Sequence, residues 1–161
     1  MSHTLCILGV DPGLSGAIAF YFPAAPDRVA AYDMPVAAKT IDAAALARRI
    51  EQMRPDLAIV ENVGARPGQG VSSMFRFGVA HGAVLGALAA LNVSTHLVSP
   101  VSWKRHFKLD SDKEAARALA IRLWPSCDHF GRKKDHGRAE AALIARWAAE
   151  TLPAARQGGA A

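Results

Sequence analysis

Cysteine is nearly absent: the chain carries only Cys6 and Cys127, far apart and in no CxxC pair. That excludes a disulfide framework and fits a reducing compartment. Structural zinc is poorly served as well, because Cys127, His129 and His136 have no fourth ligand at finger-like spacing. Long apolar runs are also lacking. The longest, residues 79–93, is interrupted by His81 and Asn92 and falls short of the ~20 residues that span a bilayer. No membrane partner is expected, and with no basic segment before Leu5, no secretory leader either. Repeats and dividing linkers are missing too. A single domain over 1–152 is therefore expected, with a disordered tail at 153–161. At 161 residues the chain is short for a two-lobed kinase-like architecture.

What is present suits a packed core and an anionic partner. The composition is 51% hydrophobic and 20% charged, with a formal net charge of +5. Such a basic excess favours association with a polyanion without specifying a fold.

Apolar runs ended by turn residues predict strands at 5–10, 16–21, 28–34, 56–60 and 94–98. Helical periodicity predicts helices over 41–53 and 71–91, a short one within 101–107, and a last one over 136–149. Ser111 with Glu114 reads as a capping box opening a helix over 112–123. The pattern is α/β: a mixed central sheet of about five strands flanked by helices.

Carboxylates occur where packing gives them no purpose. Asp11 ends the first strand just before Pro12-Gly13, either starting a turn or held by one. Glu61 closes the apolar run Leu57-Ala58-Ile59-Val60 in the same way. Asp135 stands where a helix begins, as an N-cap, a ligand or both, and His136 and Glu140 are four apart on that helix. Converging carboxylates repel unless cations neutralise them. An all-oxygen set suits Mg²⁺, or Mn²⁺ as substitute. Two such ions would clamp the oxygens of a phosphodiester during displacement. Lys104, Arg105 and Lys108 form one basic stretch, and Arg132-Lys133-Lys134 runs into the last acidic group. Such residues position nucleic acid by its phosphates.

Five ordered segments resemble the RuvC-type Holliday junction resolvases, with the compact, phage-like members nearest. Leu8-Gly9-Val10-Asp11-Pro12-Gly13 with Gly16 is similar to their opening, and Ile59-Val60-Glu61 to their second acidic strand end. Phe77-Gly78-Val79-Ala80-His81-Gly82-Ala83 resembles the small-residue helix that follows. Pro100-Val101-Ser102-Trp103-Lys104, with Lys113 beyond it, resembles the lysine-presenting segment, and 135–143 the closing acidic helix.

The resemblance implies a ribonuclease H-like fold and a homodimer that cuts two strands of a four-way DNA junction in recombination and repair. It implies a cytoplasmic, nucleoid-associated setting in a bacterial or phage-infected cell. Asp11 and Glu61 would hold metal, completed by Glu140 with Asp135 or His136, while Lys104 would stabilise the scissile phosphate. Two departures stand out. Glu140 replaces the usual aspartate, and the loop after Glu61 has no aromatic before Phe75, leaving Arg66 and Gln69 to meet the junction.

Gly78, Gly82 and Gly86 form a helical stripe whose cost of about 1 kcal/mol each calls for a close backbone approach. That approach is either to the sheet within the chain or across a symmetric dimer. Met74, Phe77, His81, Leu85 and Leu88 share a face that reads as core, and Trp103, Trp124 and Trp147 read as core or boundary. The expected function is structure-selective junction cleavage. The alternatives are a junction-binding dimer that does not cut and a ribonuclease H-like nuclease acting on hybrids or flaps.

Overall fold

In a computed structural model, residues 3–65 and 67–157 are described. Their centre is a five-stranded sheet of order β3-β2-β1-β6-β7. Strands β1 (Ile7–Asp11), β2 (Ala17–Tyr21) and β3 (Val29–Asp33) form an antiparallel meander. Strands β6 (Leu57–Glu61) and β7 (Ser94–Val98) extend the sheet in parallel from β1. Between the two halves lie a small hairpin, β4 (Val36–Ala37) with β5 (Thr40–Ile41), and helix α1 (Ala43–Met53), capped by the Asp42 side chain. The hairpin has two-residue strands, too short to leave a periodic signal.

The sheet is covered on both faces, and strand alternation decides which residue meets which cover. Leu8 and Val10 pack with Leu46 and Ile50 of α1 and with Ala80, Val84 and Leu88 of α2 (Val71–Ala90). Ile7, Leu57 and Ile59 pack on the other side with Ala141, Ala142, Leu143, Ala145 and Ala148 of α5 (His136–Thr151). Trp103, Trp124 and Phe130 complete that second layer, contributed by α3 (Pro100–His106), α4 (Lys113–Leu123) and the segment after it.

Gly9 permits the closest of these contacts. A Cβ there would sit 2.0 Å from the Ala141 carbonyl oxygen and 2.8 Å from the Ala145 nitrogen. Only glycine lets α5 lie against β1 at this depth.

Three expectations change. The cap of α4 is Asp112, whose side chain accepts from the Glu114 N–H, and not Ser111. The core face of α2 is Ala80, Val84 and Leu88, while Met74 is exposed and His81 half-buried. The tail is not disordered from Pro153: residues Pro153–Gln157 form helix α6, with Ala155 packed into the α5 layer. Its remainder, 158–161, lies outside the described residues.

Candidate metal centre

Asp11 follows Ile7 and Gly9 by steps of two, and Glu61 follows Leu57 and Ile59 likewise, so both aim at the α5 side of the sheet. Strands β1 and β6 pair in parallel through Val10 and Val60, which leaves Asp11 and Glu61 side by side at the carboxyl ends. Helix α5, drawn onto β1 at Gly9, delivers Glu140 to the same place. Ligand atoms of Asp11, Glu61 and Glu140 all lie within 4.8 Å of one another. Glu61 is 6% exposed and Glu140 7%, so little water screens their repulsion.

The electrostatic consequence falls on Asp11. Burial, then Glu140, then Glu61 hold its carboxyl well above the usual carboxylate range, against a smaller opposing pull from Lys113 and Lys104. Three hard oxygen donors with surplus negative charge form a set able to hold a divalent cation of the Mg²⁺ or Mn²⁺ class.

Helix α3 supplies the partners of two of these carboxylates. Its start is fixed by Ser99, whose hydroxyl accepts from the Ser102 N–H at 3.2 Å, and by Pro100 in the first turn. The indole Nε1–H of Trp103, fully buried, donates to Glu61 Oε2 at 2.6 Å. The next residue, Lys104, places Nζ 3.7 Å from Glu140 Oε1 and 5.3 Å from the centre of the Trp103 ring. Sequence reasoning missed the role of Trp103. A tryptophan beside a lysine carries no signal of which acceptor its N–H will find.

Asp135, expected as a metal ligand, is turned elsewhere. It sits in a single 3-10 turn, Lys133–Asp135, and accepts the Arg132 backbone N–H at 2.7 Å. The Arg132 guanidinium grips the same carboxylate at 2.7 and 3.0 Å. These bonds hold Asp135 below the usual carboxylate range, against the opposing effect of burial. Asp135 is a local clamp on the turn that opens α5.

His136 is not in the acidic group among the described residues either. The helix positions that look toward Asp11 are 137 and 140, three apart. A Cβ on Gly137 would stand 3.6 Å from Asp11 Oδ2, but only 3.1 Å from the Ser15 carbonyl oxygen. The α5 position one turn before Glu140 that lies beside Asp11 is thus a glycine, which offers no side-chain ligand.

The basic residues divide. Arg105, Lys108, Lys113, Lys133 and Lys134 are exposed. Arg132 is paired with Asp135 at 2.7 Å, with Asp33 3.9 Å away, and half of its side chain remains exposed. Gln69 is exposed and lines a cleft between the 63–69 loop and α2, with Met74, Phe77 and His81. Arg66 lies outside the described residues. Among those residues the buried Nδ1 of His81 has no hydrogen-bond partner, while its ring stacks on Phe77.

The glycine stripe faces outward. A Cβ on Gly78, Gly82 or Gly86 would meet nothing within 4 Å, so the sheet is not what the stripe approaches. Val71, Phe75 and Val79 flank it, 85%, 72% and 48% exposed. By length and composition α2 is also apolar enough to cross a membrane, while its inner face packs on the sheet.

No protein-family model matches the chain, and no curated protein matches it significantly in sequence. Solved structures do match in shape. Thermus thermophilus RuvC in complex with a Holliday junction substrate superimposes with a TM-score of 0.64 at 14% identity, covering 92% of this chain and 96% of that one. The Fowlpox virus resolvase, solved with substrate Holliday junction DNA, gives 0.55 at 13% identity over 92% and 99%. The yeast mitochondrial Holliday junction resolvase gives 0.53 at 18% identity over 99% and 85%. The chain therefore has the ribonuclease H-like fold of the RuvC-type Holliday junction resolvases.

Proposed function

We propose that this protein is a divalent-metal-dependent endonuclease that resolves four-way DNA junctions as a homodimer. The observation that carries the reading is the convergence of Asp11, Glu61 and Glu140 within 4.8 Å at the strand ends of a RuvC-type fold. In this reading the three carboxylates hold Mg²⁺. When bound, the metal supplies Lewis-acid polarisation of the phosphodiester and neutralises charge developing on it.

The remaining groups act around that centre. Lys104 and Lys113, the cations close enough to oppose the rise in Asp11, offer positive charge to the scissile phosphate. Arg105, Lys108, Lys133 and Lys134, all exposed, are available to flanking phosphates, positioning the strand without reading its bases. The outward face of α2, apolar and lined by glycine, suits a second copy of the chain approached closely through Gly78, Gly82 and Gly86. A symmetric pair of sites then selects a branched substrate by shape and spacing.

A three-carboxylate site, with Asp135 held away by Arg132, also favours a second reading: a dimer that binds junctions without cutting them. One assay separates the readings. A labelled four-way junction, a linear duplex and an RNA–DNA hybrid are each incubated with protein and Mg²⁺. Paired nicks in the junction alone are expected. Stable junction binding without nicks supports the non-cutting dimer, and preferential cleavage of the hybrid overturns junction resolution.

A further inference from the structure

We infer that Trp103 is the positioning residue of the metal centre, its indole N–H fixing the Glu61 carboxylate as a ligand. The inference rests on the reading of Asp11, Glu61 and Glu140 as metal ligands. An indole has one donor and no acceptor, and a buried tryptophan needs somewhere to place that hydrogen. Trp103 is fully buried in an apolar layer, and Glu61 Oε2, at 2.6 Å, takes the bond. A carboxylate has two oxygens, so Glu61 can accept this hydrogen and still offer an oxygen to a cation.

The placement of the partner argues for more than packing. Trp124, the other fully buried tryptophan, sends its N–H to the Pro26 carbonyl at 2.9 Å, well away from the acidic group. Trp103 sends its own to one of the three clustered carboxylates, from the helix that also brings Lys104 to Glu140. Helix α3 is thereby a strap between the carboxylates of β6 and α5. Glu61 without the donor keeps its place on β6 but loses the bond that orients Oε2. Partners that orient metal ligands in this way typically change affinity or activity 10–100-fold when removed.

The test isolates one atom. The full chain is made with 3-benzothienylalanine at position 103, which keeps the ring shape and replaces N–H by sulfur, and separately as Trp103→Phe. Mn²⁺ affinity is measured by electron paramagnetic resonance of the free ion. The benzothienyl protein is expected to bind Mn²⁺ about 10–100-fold more weakly than the parent, with the same circular dichroism. In the parent, the Trp103 indole N–H resonance, assigned by its loss in Trp103→Phe, is expected to shift on adding Mg²⁺ while that of Trp124 stays. Equal Mn²⁺ affinity with and without the N–H overturns the inference, as does an unresponsive Trp103 resonance. If the benzothienyl protein fails to fold, the resonance decides alone. A parent protein that takes up no Mn²⁺ overturns both this inference and the metal reading beneath it.

Discussion

At Asp11, burial and two neighbouring carboxylates act in the same direction, and two lysines only partly oppose them. A carboxyl raised above its unfolded value contributes stability below the ordinary carboxylate range and loses it as pH rises through the raised value. The metal-free protein should therefore be less stable at neutral pH than in mild acid, as far as this group is concerned. Asp11→Asn removes the charge and should raise the neutral-pH Tm of metal-free protein, by about 2–4 °C per kcal/mol relieved. The gain should shrink as pH falls toward 4. A thermal melt in chelator at several pH values checks this, and a lower Tm at neutral pH counts against it. Asp11 and Glu61 were legible in the sequence because a charge closing an apolar strand has no packing reason. For Asp135 the sequence left cap and ligand open, and its carboxylate is bonded to Arg132, which closes a turn just three residues away. Nothing in residue order distinguishes a carboxylate that caps such a turn from one that faces a metal.

Among the elements, α5 matters most, because it must reach β1 before Glu140 can reach Asp11. Its alanines at 141, 142, 145 and 148 keep its surface low, and Gly9 removes the last obstacle. Gly9→Ala would drive a methyl group into the Ala141 carbonyl. Overpacking usually costs ~1–3 kcal/mol, and this contact belongs at or above the top of that range. A Tm lower by about 5 °C or more, with loss of divalent-ion binding, is the expected result. An unchanged melt would mean that α5 does not dock here. The long elements were legible from apolar runs and helical periodicity, and α2 begins at the expected Val71. Short ones were not. The β4–β5 hairpin is too brief for a period, and α6 is a five-residue helix that brings Ala155 to the core.

For the whole molecule, α2 is the element packed on one face and bare on the other. Its inner face packs with Ala80, Val84 and Leu88, while the opposite face leaves Val71, Phe75 and Val79 to solvent beside three glycines. The glycine stripe was legible in the sequence, but its direction was not, since both helix–sheet and helix–helix packing reward a missing Cβ. If a second copy covers the stripe, Phe75→Glu should convert dimer to monomer in sedimentation analysis and lower Tm only by loss of the dimer. The monomer should bind junctions more weakly and nick them without pairing the cuts. A parent protein that sediments as a monomer at all concentrations would remove the two-site account.

The central claim is that carboxylates from β1, β6 and α5 together hold divalent ions. Anomalous diffraction from crystals soaked in Mn²⁺ tests it most directly. Manganese density bounded by Asp11, Glu61 and Glu140 is expected, with Asp135 still bound to Arg132. Soaked crystals with no manganese among those three side chains would contradict it.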